Sequence, residues 1–108
     1  MKVSWVWVLA LLVMAQGHAE AAIHTTYGYG LQTCGDWTQA RKTSDWVTEN
    51  VMTAWATGFL TASSRLRPAQ RATDVGGIKG YLDGTCEKRP LITFETAVTA
   101  LAQELGGQ

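Results

Sequence analysis

Residues 45–65 read DWVTENVMTAWATGFLTASSR, and their periodicity decides the fold. Val47, Val51, Ala54, Trp55, Gly58, Phe59 and Ala62 recur there at helical spacing. Ser44 stands where a helix takes its N-cap, and Asp45 and Glu49 suit the positive end of the helix dipole. Gly58 costs about 1 kcal/mol of helix propensity relative to alanine. The expected return is close approach by another helix beside Trp55. Thr53, Thr57 and Thr61 make a polar stripe on a second face, read as solvated, with a ligand-facing ladder as the alternative.

Three shorter helices flank this one. A first, over about 34–43, carries Trp37 and Ala40, with Arg41 and Lys42 near its C-terminus. A third, over about 75–87, carries Ile78, Tyr81, Leu82 and Cys86 on one face. Gly80 and Gly84 make it a poor helix in isolation, so it depends on packing. Pro90 ends it. A fourth, over about 92–105, shows the stripe Phe94, Ala97, Val98, Leu101, Ala102 and Leu105. Thr93 is its N-cap, and Gly106-Gly107 stop it. The longest loop runs from Arg65 to Gly77 and holds Arg65, Arg67 and Arg71, read as a solvated cluster with an anion patch as the alternative. Ahead of the helices, Tyr27-Gly28-Tyr29-Gly30 reads as an extended arm packed by its tyrosines. The fold expected is all-α, one domain of four helices over 22–108.

Residues 1–21 read as a signal peptide. Lys2 precedes an uncharged apolar run, Val3 to Ala15, and small residues follow it. Cleavage before Glu20 and cleavage before Ala22 both fit. A retained membrane anchor is the alternative, against which the apolar run is shorter than the about 17–25 residues a membrane span needs; after cleavage no membrane association is expected. Export gives Cys34 and Cys86, the only cysteines, a partner in each other. Free buried thiols are the alternative. A bond closing that loop contributes roughly 4 kcal/mol, a large share for so small a domain.

The 108 residues carry nine basic and nine acidic side chains, so the formal net charge is zero. Such a balance leaves no footprint for nucleic acid. Two cysteines are too few for a cysteine-ligated zinc site, and no metal, calcium or dinucleotide motif is present. His24 is the one histidine left after cleavage, and no Gly-x-Ser-x-Gly elbow accompanies it. Asp83 and Glu87 share a helix face, but paired carboxylates need a perturbing pocket to act as acid and base. No catalytic residue, cofactor or enzymatic activity is expected.

Thr33-Cys34-Gly35-Asp36-Trp37, together with Gly77-Ile78 through Cys86, resembles the HdeA/HdeB family of small periplasmic acid-stress chaperones. The likeness covers most of the chain after the signal in layout: a short helix with a cysteine, a long helix, a loop, a second cysteine helix and a terminal helix. It implies a periplasmic protein, dimeric and inactive at neutral pH, that loosens in acid and binds unfolded clients. The eight carboxylates from Asp36 to Glu104 would then protonate and leave eight Lys and Arg charges unopposed. Val51, Trp55, Phe59, Ile78 and Leu82 are the candidate client-binding positions, with ordinary core as the plainer reading. Trp46, Trp55 and the tyrosine-glycine arm depart from the family pattern. A second hypothesis is an immunity-type inhibitor of a secreted peptidoglycan-cleaving toxin, acting on one specific protein partner; no acidic or aromatic loop stands out for that role, 66–77 being the one candidate. An exported protein with neither role is the third.

Overall fold

A computed structural model describes residues 24–107, and the expected signal peptide and its cleavage sites lie outside them. The architecture is all-α. A 3-10 turn, Gly28–Leu31, precedes α1 (Cys34–Lys42), α2 (Trp46–Leu66), α3 (Val75–Lys88) and α4 (Phe94–Leu105). A single bond, Cys34–Cys86, ties α1 to α3.

Local chemistry sets the helix starts. Thr33 and Asp36 form a capping box: each side chain accepts the other residue's backbone N–H, at 3.2 and 3.0 Å. Asp74 caps α3 through Gly77 N–H at 2.7 Å, and Thr93 caps α4 through Thr96 N–H at 3.1 Å. The run Thr33-Cys34-Gly35-Asp36-Trp37 is thus a structural unit, holding a cap, a disulfide half and the core's largest side chain. Backbone bonds from Cys34 N–H to Ile92 O and from Phe94 N–H to Gln32 O, at 2.8 and 2.7 Å, join the entrances of α1 and α4.

The core lies between α2 and the other three helices. Trp37, Met52, Leu82, Phe94 and Val98 are fully buried around the disulfide. Trp37 stacks on Phe94 at 5.6 Å between ring centroids, and Trp55 stacks on Phe59 at 5.4 Å.

Several sequence expectations need correction. The inward face of α2 is Met52, Ala56 and Leu60, whereas Val47 and Val51 are exposed. Both faces of α2 are apolar, so periodicity alone could not choose between them. Asp45, not Ser44, is the α2 cap; its carboxylate takes the Thr48 N–H, while Ser44 adopts a left-handed backbone at φ 56°. The threonine stripe is not wholly solvated: Thr53 is buried, and all three hydroxyls donate to backbone carbonyls. The arm is not packed by its tyrosines, since Tyr27 is 78% exposed and Tyr29 also faces solvent. Gly30 packs instead, close enough to the Trp55 ring that any Cβ there would collide with it. Gly58 receives no neighbouring helix. Gly76 and Gly77 belong to the first turn of α3 rather than to the loop.

Candidate functional site

Two features stand out above the core, and both are built on carboxylates. The first joins α1, α2 and α3. Asp83 on α3 accepts a paired approach from Arg41 on α1, Nε and Nη2 at 2.9 and 2.8 Å. It also accepts the indole N–H of the buried Trp37 at 2.9 Å. Arg41 turns its remaining nitrogen, Nη1, to Glu49 on α2 at 2.9 Å. The same Glu49 oxygen receives Lys79 Nζ from α3 at 2.9 Å.

Among the described residues, Glu49 is therefore the one carboxylate through which α2 is ion-paired to both helices of the disulfide-bonded pair. Lys79, by hydrogen bond and charge, and then Arg41 hold the Glu49 carboxyl below its ordinary range, against partial burial. Arg41 chiefly, and the Trp37 indole after it, does the same for Asp83. Arg41 in turn holds its proton more firmly than an ordinary arginine, mainly through Asp83. Its guanidinium also lies 5.7 Å from the Trp37 ring centroid.

The second feature is a groove of about 430 Å³ along one side of α2, lined by Ala54, Trp55, Gly58, Phe59, Glu95 and the arm 24–27. Glu95 on α4 holds the arm: one carboxylate oxygen meets His24 Nε2 at 2.5 Å, and the other accepts the Thr26 hydroxyl. Trp55 Nε1 donates to Tyr27 O at 2.8 Å. The groove is thus aromatic on one wall and bounded on the other by a short segment tied by the Glu95 carboxylate and the Trp55 indole.

The five candidate client-binding residues do not form one surface in the folded protein. Trp55 and Phe59 line the groove, Ile78 and Leu82 are core, and Val51 faces solvent on α2. Cys34 and Cys86 are bonded to each other. Asp83 and Glu87 line one open pocket with Thr38, Arg41 and Lys42, where the Asp83 carboxylate takes Arg41 and the Trp37 indole and Glu87 is exposed. The loop after α2 is held against the body. The Gln70 amide bonds Leu60 O at 3.4 Å and takes the Ser63 hydroxyl, while Arg71 donates to Leu105 O and Glu104 O at the end of α4. Arg71 therefore serves as a helix C-terminal partner.

The Arg41–Glu49–Lys79 bridge and the His24–Glu95 contact were not anticipated. Each pairs residues from different helices or from the arm, and no local spacing encodes such a pairing. Among the described residues, no group of three or more metal-ligating side chains occurs, and no helix is long and apolar enough to cross a membrane.

These features define a small, disulfide-tied, four-helix protein whose long helix is ion-paired to α1 and α3 over an aromatic core. The chain matches no family model, no curated protein and no solved structure.

Proposed function

We propose that this is an exported acid-stress chaperone of the HdeA-like kind, acting in the periplasm on unfolded clients. The observation that carries the reading is Glu49, the carboxylate that ion-pairs α2 to both Arg41 and Lys79. Protonating it removes both pairs in one step. Protonating Asp83 removes the Arg41 pair beside it.

The disulfide keeps α1 and α3 joined whatever the pH. Loosening in acid therefore falls on α2, which lifts Met52, Ala56 and Leu60 from the core. Phe94, Ile78, Leu82, Trp55 and Phe59 then become surface for an unfolded chain. The disulfide also fits an oxidising compartment.

The test is an acid client-protection assay. A periplasmic protein mixture is shifted to about pH 2–3 with and without the purified protein, and aggregates are sedimented. The expected result is suppressed aggregation together with a change in tryptophan fluorescence in the same acid range. Unchanged aggregation with an intact acid fold removes the reading and leaves one specific protein partner, as in toxin inhibition, to be sought.

A further inference from the structure

We propose that the cleft between the second half of α2, the loop 67–74 and the start of α3 binds a neutral saccharide ring, free or within a glycan chain. The cleft holds about 540 Å³, within the range of about 300–1,000 Å³ usual for small-molecule sites. Its floor is apolar: Leu60 and Ile78 are buried there, with Leu105 beside them. Its walls are polar. They come from the threonine stripe of α2 and from the arginine loop, two features that the acid mechanism leaves without a role.

The wall formed by α2 offers acceptors. Thr57, Thr61 and Ser64 line the cleft, and each donates its hydroxyl hydrogen to a backbone carbonyl: Ala54 O at 3.0 Å, Thr57 O at 2.7 Å and Thr61 O at 2.7 Å. Such an oxygen has only lone pairs left for a ligand. At the entrance of α3, Asp74 takes the Gly77 N–H on Oδ1 at 2.7 Å, and among the described residues no donor reaches its Oδ2. Donors are fewer. Arg71 commits Nε and Nη2 to Leu105 O and Glu104 O, which leaves Nη1. The Arg71 and Asp74 charges balance, so the cleft favours no ion of either sign.

A saccharide answers each of these features. It is neutral, its hydroxyls supply the donors that an acceptor wall needs, and its C–H faces suit an apolar floor. A purely apolar ligand would leave the carboxylate and the hydroxyl oxygens desolvated and unpaired. Thr57, Thr61 and Ser64 succeed one another by single turns of α2, about 5–6 Å between Cβ atoms, a distance that spans a six-membered ring from one hydroxyl to the opposite one. The loop is fixed in advance, since the Arg71 N–H bonds Leu105 O at 2.8 Å and Gln70 joins Ser63 to Leu60. Little ordering is therefore left to the ligand. Thr61, Ser64 and Asp74 are exposed, so the site is open to solvent and its affinity is millimolar. It belongs to the folded protein at neutral pH and stands or falls separately from protection of clients in acid.

Amide NMR titration of the full processed chain at pH 7 tests it, with glucose, maltotriose and triacetylchitotriose each raised to about 20 mM. The expected result is saturating shifts centred on residues 57–64 and 70–78 with at least one of the three. Saturation by glucose marks a free sugar as the ligand, and saturation by a trisaccharide alone marks a glycan. Cyclohexanol, a ring of similar size with one hydroxyl, binds at least about tenfold more weakly. Thr61→Val keeps the shape of the wall and leaves no backbone group without its helical bond, and it weakens binding at least about threefold. Asp74→Asn keeps a capping side chain and weakens binding by about the same factor, because an amide oxygen accepts less strongly than a carboxylate. Both variants keep the helical circular dichroism. No saturating shift with any of the three sugars overturns the proposal. Shifts scattered over the whole surface, cyclohexanol binding as tightly as sugar, or affinity unchanged in both variants overturns it as well.

Discussion

At Gly30 and Gly58 the same residue type does opposite things. A Cβ at Gly30 would fall 2.2 Å from Cζ2 of Trp55, inside the ring's contact distance, whereas one at Gly58 meets nothing. Gly30→Ala should therefore cost about 1–3 kcal/mol through displacement of Trp55. Gly58→Ala should raise stability by up to about 1 kcal/mol through helix propensity alone. Urea denaturation of the two variants checks both signs; equal effects would contradict the packing described for the arm. The sequence marked Gly58 as the close-approach glycine because it sits among large apolar residues. What decides the matter is which part of the chain crosses above, and the arm that crosses Trp55 lies about 25 residues away in sequence. Trp37 and Phe94 were legible as core because each stands in a local apolar pattern. The contact from Trp37 to Asp83 was not, since its two ends lie on different helices.

Among the elements, the helix boundaries were the most readable feature, because caps are local. Thr93, the pause after Lys42 and the stop at Gly106 all follow from a few adjacent residues. The start of α2 shows the limit of that reading. Ser44 and Asp45 are both good capping types, and the choice between them depends on the turn leaving α1. That turn places Ser44 at positive φ and frees Asp45 to receive the Thr48 N–H at 3.2 Å. Asp45→Ala should lower stability through loss of that cap. Ser44→Gly should stabilise, by about 0.5–1 kcal/mol, because glycine holds a left-handed backbone without a Cβ penalty. Thermal midpoints of the two variants should move in opposite directions, and a loss on Ser44→Gly would restore Ser44 as the cap. The facing of α2 was beyond local reading: a helix with two apolar sides needs its neighbours to say which side is inward.

For the whole molecule, pairing of the cysteines followed from their number, but the chain of charges across α1, α2 and α3 did not. Asp83 was grouped with Glu87 because they share a helix face, and its true partners came from α1. Those charges give the molecule its pH dependence. Glu49 and Asp83 have carboxyls lowered from ordinary values of 4.5 and 3.8 in the folded state. Their contribution is therefore complete above the unfolded values and is lost as pH falls through the lowered folded ones. Stability to urea should be nearly flat from pH 7 to about 5 and should fall below about pH 4. Glu49 is only 16% exposed at its side chain, so it should carry more of that fall than the more exposed carboxylates. Glu49→Gln should lower stability at pH 7 by about 0.5–1 kcal/mol, as expected for a partly exposed pair, and should flatten the acid limb. Reducing the disulfide should lower stability by about 2–5 kcal/mol at every pH without changing the slope, because it constrains the unfolded chain and binds no proton. Should Glu49→Gln and wild type lose stability along parallel lines below pH 4, the bridge is not the acid-sensitive joint. Loosening would then have to come from general charge repulsion, spread over all the carboxylates and not directed at α2.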